Sequence, residues 1–183
     1  VSITAAAAFS IADNITLTVA TGKDIVVQGT TAALTGGLVA TTGDITVTAT
    51  TGDITLNDAT EVSAIVATGT IALTANSGTI IGDDDAVKDL EVTGAGAVTL
   101  AAKAIGPLAA TRITIDADDT STVLTVDSNA TADGSDVNLK VISGDFLAVT
   151  ITQLLAETDM AIALVGGGDT IAITGSSGGV TIT

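Results

Sequence analysis

Residues 42–57 read TGDITVTATTGDITLN, and they state one unit, Gly-x-Ile-Thr-aliphatic, twice in succession. Gly43, Ile45 and Val47 are answered by Gly52, Ile54 and Leu56, so apolar residues alternate with small polar ones behind a glycine that lets the backbone bend. This is the pattern of a short strand and its turn. The unit returns at Gly69, Ile71 and Leu73, at Gly78 and Ile80, at Gly96, Val98 and Leu100, and at Gly178, Val180 and Ile182.

The spacing turns these strands into an architecture. Gly43 and Gly52 are as far apart as Gly69 and Gly78, and the whole pair recurs with a period of roughly 26 residues, which Gly96 continues after Gly69. Strands this frequent leave no room for helices between them. A parallel β-solenoid fits, in which each strand stacks on its counterpart one coil later at about 4.8 Å. Ile45, Ile71 and Val98 would form one inward row, with Val47, Leu73 and Leu100 beside it, while Thr46, Ala72 and Thr99 face out. Apolar runs at 64–67 and 90–92 fall in the longer gaps and supply a third face.

Composition agrees. Among 183 residues there are 2 Phe and no Trp, Tyr or His, so the core must be built from Val, Ile, Leu and Ala. Small aliphatics fill an interior when they stack in rows of like shape, whereas an irregular core calls on aromatics to fill its gaps. The net charge is −16, with 21 acidic side chains against 5 basic ones, which argues against nucleic acid and anionic membrane surfaces as partners. Only 14% of residues are charged, unlike a disordered tail. Cysteine is absent, which removes disulfides and thiolate metal sites. The first residues, VSITAAAAFSIADN, lack the basic and long apolar regions of a signal peptide, and no apolar run approaches the roughly 18 residues of a membrane helix. Val1 reads as a processed end or as the edge of an excerpt from a longer precursor.

Further strands are expected at 2–4, 15–19, 25–28 and 38–40, and beyond the regular region at 112–116, 122–126, 137–142, 147–152, 161–165, 170–174 and 180–183. Ala5, Ala6, Ala7 and Ala8 read as an inward row at a narrow corner, and Pro107 as a corner or edge feature. Residues 153–160, QLLAETDM, are the one stretch that could make two helical turns. The whole, 1–183, reads as a single solenoid domain, with repeats clearest in 15–102 and looser coils or an insertion in 104–160. Length divided by period gives roughly six or seven coils. Both ends, VSIT and VTIT, read as strands without polar caps, so the rows are expected to continue into another copy or into further coils.

The Gly-x-[Ile/Val]-x-[Leu/Val] units, GDITVTATTGDITLNDAT above all, resemble those of filamentous haemagglutinin-like and autotransporter-type β-helical repeat adhesins. The resemblance covers 15–102 best. It implies a right-handed parallel β-helix, an extracellular or cell-surface location, and a rod that projects or assembles rather than catalyses. The matching positions are structural, so the resemblance carries over no functional residue.

Candidate sites are few. Asp83, Asp84 and Asp85, with Asp89 nearby, and Asp116, Asp118 and Asp119, with Asp127 nearby, are carboxylate clusters in expected turns, and calcium prefers such oxygen ligands. Their spacing matches no EF-hand loop, and solvated acidic turns are the alternative. Paired carboxylates also serve glycosidases, but a chain without Trp, Tyr or His lacks the rings that hold sugars. Thr-x-Thr pairs at 16/18, 46/48, 48/50, 150/152 and 181/183 would suit an ice-binding face if they recurred in every coil, which they do not, and outward strand positions favour Thr in any case. Asn14-Ile15-Thr16 and Asn129-Ala130-Thr131 fit the N-glycosylation pattern, which arises by chance in Thr-rich sequence. The chain therefore reads as a non-enzymatic structural subunit or stalk module of a surface fibre, partnered by itself or by neighbouring coils, with no cofactor beyond calcium at those clusters. The alternatives are a polysaccharide-active enzyme fragment and a calcium- or ice-binding solenoid.

Overall fold

The structure, a computed structural model, describes residues 1–57, 64–84, 88–117, 122–128, 137–143, 148–153, 160–164, 171–174 and 180–182. Five turns carry three strands each. They run β1 (Ser2–Thr4), β2 (Phe9–Ile11), β3 (Thr16–Val19); β4 (Ile25–Gly29), β5 (Ala32–Leu34), β6 (Gly37–Ala40); and β7 (Ile45–Ala49), β8 (Ile54–Leu56), β9 (Ile65–Ala67). The fourth and fifth are β10 (Ile71–Ala75), β11 (Thr79–Ile81), β12 (Leu90–Val92), then β13 (Ala97–Ala102), β14 (Ala104–Ile105), β15 (Ile113–Ala117). Three further turns show two strands each among the described residues: β16 (Val123–Ser128) with β17 (Val137–Ser143), β18 (Ala148–Gln153) with β19 (Met160–Leu164), and β20 (Ile171–Thr174) with β21 (Val180–Ile182).

Every pairing is parallel, as a solenoid requires and an antiparallel sandwich does not allow. The first face is one eight-stranded sheet, β1-β4-β7-β10-β13-β16-β18-β20. The second face (β2, β5, β8, β11, β14) and the third (β3, β6, β9, β12, β15) stay separate until β17, which pairs with both β14 and β15. From that point one long strand does the work of two. The expected six or seven coils become eight strands on the first face because some coils are short. The steps from Ile25 to its partner Ile45 and from Val149 to its partner Ile171 are each smaller than the step from Ile45 to Ile71, which sets the regular period.

The aliphatic rows form as the alternation predicts. Ile25, Ile45, Ile71, Val98 and Leu124 stack in register, with Val27, Val47, Leu73, Leu100 and Val126 beside them, all fully buried. Leu38, Ile65, Leu90, Ile115 and Val141 make the matching row on the third face. Each such side chain contributes about 1.5–3 kcal/mol by leaving water, and because each stacks on its like, no aromatic is needed to fill gaps.

Glycines 43, 52, 69, 78 and 96 serve close approach rather than bending. None has a positive φ; among the described residues that belongs to Gly22 and Gly106 alone of the glycines. A Cβ on Gly69 would meet the Gly43 carbonyl oxygen at 2.8 Å, and Cβ atoms on Gly78 and Gly96 would press still closer on Gly52 and Gly69. Successive coils thus touch backbone to backbone at Gly43, Gly69, Gly78 and Gly96, while at Gly52 the close neighbour is the Thr31 methyl.

The residue after the corner glycine has its own role. Asp44 N–H donates to Asp24 Oδ1 at 3.0 Å, Thr70 N–H to Asp44 Oδ1 at 2.6 Å, and Thr79 N–H to Asp53 Oδ1 at 2.8 Å. In each case an aspartate just ahead of a strand accepts the amide in register one coil later, as an N-cap aspartate does for a helix. Hydroxyls act in the opposite direction, Thr35 Oγ1 donating to Ile11 O at 2.8 Å, Thr50 Oγ1 to Gly29 O at 3.2 Å and Ser128 Oγ to Lys103 O at 2.9 Å. Coils are therefore stitched at their corners as well as along their strands.

Two expectations are corrected. Ala5 is half-buried and Ala6, Ala7 and Ala8 are exposed, so the corner between β1 and β2 turns its alanines outward. The short strands β2 and β5 lie where no strand was expected. Of the stretch read as able to make two helical turns, Gln153 ends β18 and Met160 begins β19, while 154–159 lie outside the described residues. Pro107 does sit at a corner, between Gly106 at φ 57° and a single 3-10 turn at Ala109–Thr111. Among the described residues no helix is long and apolar enough to cross a membrane.

Candidate functional site

The chemistry-bearing side chains gather on the third face, where three strands per turn give way to two among the described residues. Register sets them side by side. Leu90 pairs with Ile115 and Ile113 with Leu139, so Asp89, Thr114 and Lys140 fall in one row across three turns, and Glu91 lies beside Asp116 in the next. The equivalent outward positions on β9 and β12 are half-exposed, whereas every residue of β15 is buried.

Residues just ahead of β12 supply the partners for β15. Asp89, 1% exposed, accepts the Thr114 amide on Oδ2 at 2.7 Å, repeating the corner-aspartate device. Lys88 pairs with Asp116 and, at 3.1 Å, with Glu91. Asp84, at φ 52°, lies 3.8 Å from the Arg112 guanidinium and 3.9 Å from the Lys140 ammonium. Gly82 donates its amide to Thr111 O at 3.0 Å, and a Cβ there would run into the Arg112 carbonyl. Three of the chain's five cations therefore share one patch with four carboxylates.

Burial is what makes the pairing necessary. Asp116 is 2% exposed, and a carboxylate taken so far out of water needs a cation beside it. Burial by itself would lower the pKa of the Lys88 ammonium, but hydrogen bonds and attraction from Asp116 and Glu91 outweigh it and hold the group above its ordinary 10.5. The Thr114 hydroxyl, fully buried, finds no hydrogen-bond partner among the described residues.

Of the six aspartates expected as calcium ligands, Asp83 and Asp84 follow β11 and Asp116 lies within β15, while Asp85, Asp118 and Asp119 lie outside the described residues. Asp84 and Asp116 are both engaged by cations, and among the described residues no three acidic, His or Cys side chains converge as a metal site. The threonine pairs of the first face do align: Thr46 and Thr48 on β7 share their two rows with Thr150 and Thr152 on β18. Between them stand Ala72, Ala101 and Asp127, so the pairs do not repeat from turn to turn. Asn14 lies in an exposed turn at φ 61°, and Asn129 lies outside the described residues.

The sequence alone groups Asp89 with the neighbouring aspartates but gives Lys88, Arg112 and Lys140 no place in a site. A signal was available, since Lys88, Arg112 and Lys140 recur close to one coil apart in a chain almost without cations. Comparison of the chain with protein-family models, with curated proteins and with solved structures returned no match.

Proposed function

We propose that the chain is a structural rod module of an extracellular or cell-surface fibre or adhesin stalk, joined to further coils or further copies of itself. The observation that carries this reading is the unbroken eight-stranded parallel sheet of the first face with its in-register aliphatic rows, a construction that lengthens coil by coil. Such a body resists bending because neighbouring coils are bonded by backbone amides and, from the first turn to the sixth, by a corner aspartate or a corner hydroxyl as well. The acidic exterior keeps rods soluble and apart laterally.

The paired-carboxylate reading has less to support it. Asp84, Asp89, Glu91 and Asp116 face cations or backbone amides on the closed surface of β15, and the chain has no Trp, Tyr or His to bind or activate a sugar. Negative-stain electron microscopy of the purified chain, with and without calcium, alongside a reducing-end assay on acidic and neutral polysaccharides, tests the proposal. End-to-end filaments with no release of reducing ends are expected. Dispersed particles that depolymerise a polysaccharide would overturn it.

A further inference from the structure

The ion-paired patch sits at one place on the rod, and that place is the joint. On one side of it are five turns of three strands; on the other, β17 spans what had been two faces, and its ladder with β15 slips register between Ile115 and Asp116. The buried row Leu90, Ile115, Val141 runs on through the joint, but past Ile115 the ladder falls out of step and Asp116 pairs with Ser143. On the outward side of the joint, charge takes over from matched stacking. The residues placed there are Asp84, Lys88 and Asp89 of the fourth turn, reaching Arg112, Thr114 and Asp116 of the fifth and Lys140 of the sixth.

We propose that this patch is an ionic clasp that locks the turns ahead of β17 to the turn that β17 begins and makes the joint responsive to ionic strength. On the first face, adjacent turns are held by buried aliphatic rows and backbone hydrogen bonds, which dissolved salt does not weaken. The clasp differs in kind. Its Lys88, Arg112 and Lys140 side chains are between 25% and 33% exposed, so counterions reach the cationic side of each pair and screen its attraction to the buried Asp84 Oδ1 and Asp116. Asp84 Oδ1 makes no hydrogen bond among the described residues and is held by charge, at 3.8 and 3.9 Å. High ionic strength therefore loosens turns four to six and leaves turns two and three unchanged.

Hydrogen exchange on the whole chain, read by mass spectrometry in low salt and in molar sodium chloride, tests this. Peptides covering Leu90–Val92 and Ile113–Ala117 are expected to exchange roughly tenfold faster in high salt, as several partly exposed ion pairs weaken together, while Ile45–Ala49 does not change. Lys140→Met and Asp84→Asn each reproduce part of that acceleration in low salt and reduce the response to salt. The double variant Asp84→Asn with Lys140→Met accelerates exchange by less than the sum of its two parents, which independent space-filling roles for these side chains would not produce. Equal acceleration along the whole rod, no acceleration at the joint, or a double variant whose effect is the full sum of its parents' would each overturn the proposal.

Discussion

Replacing Gly96 with alanine adds one methyl carbon where two coils meet. That carbon would lie 3.1 Å from the Gly69 Cα and nearer still to the Gly69 carbonyl carbon and oxygen, inside the 3.0 Å that real Cβ atoms respect. The obstacle is backbone, which cannot swing aside as a side chain can. The corner must open, and the bonds beside it, Val123 N–H to Gly96 O at 3.4 Å and Gly69 N–H to Gly43 O at 3.2 Å, are already long. Overpacking against rigid structure costs about 1–3 kcal/mol, and each backbone hydrogen bond lost adds about 1 kcal/mol. The expected total is about 3–5 kcal/mol, or a fall in Tm of about 10 °C for a chain of this size. Gly22→Ala is the control, because φ there is +70° with nothing within 4 Å, so the cost is left-handed strain alone, about 1–2 kcal/mol. Thermal unfolding followed by circular dichroism, with urea midpoints as a second reading, compares the two. If Gly96→Ala is no worse than Gly22→Ala, the glycines are not there for close approach and the reasoning fails.

Three further substitutions probe the stitching between coils. Asp44→Ala should cost about 0.5–2 kcal/mol by orphaning the Thr70 amide, while Asp44→Asn, which keeps an acceptor, should cost a fraction of that; equal losses in urea melts would reject the corner-aspartate role. Thr114→Val removes a buried hydroxyl that has no partner among the described residues and should raise stability by about 1–2 kcal/mol, so a lowered Tm would show that the hydroxyl is bonded after all. Lys88 titrates above its ordinary 10.5 in the folded chain, so its stabilising pairing is complete below that pH and fades as pH rises through the folded value. The Tm gap between the wild-type chain and Lys88→Met should accordingly narrow above about pH 10.5. A gap that holds constant to higher pH would mean that the charge of Lys88 is not what holds Asp116 in place.

The inward positions were legible because burial on one side of a strand imposes a two-residue period, and Ile45, Ile71 and Val98 carry it without interruption. The corner glycines were legible as markers but not in their physical role. A sequence shows that glycine recurs once per coil at Gly43, Gly69 and Gly96, yet only coordinates show that φ is unremarkable there and that a neighbouring carbonyl occupies the place of the missing side chain. Strands β2 and β5 escaped notice because three residues such as Ala32, Ala33 and Leu34 carry too little alternation to stand out, and their strand character comes from the coils above and below. The clasp was hidden for another reason. Lys88 and Asp116 are about one coil apart in sequence, and Asp84 and Lys140 about two, so their meeting depends on the length of each intervening coil.

The in-register stacking of coils is the claim on which the rest stands, and the chain's lack of cysteine makes it directly measurable. Thr46 and Ala72 face out on adjacent parallel strands as register partners, as do Thr99 and Thr125. At the strand spacing of about 4.8 Å their Cα atoms fall within disulfide reach, whereas Thr46 and Thr99, two coils apart at about 9.6 Å, do not. Thr46→Cys with Ala72→Cys, and Thr99→Cys with Thr125→Cys, should oxidise rapidly and completely to intramolecular disulfides, while Thr46→Cys with Thr99→Cys should stay reduced. Failure of both adjacent pairs to bridge, or equal bridging of the two-coil pair, would contradict the solenoid.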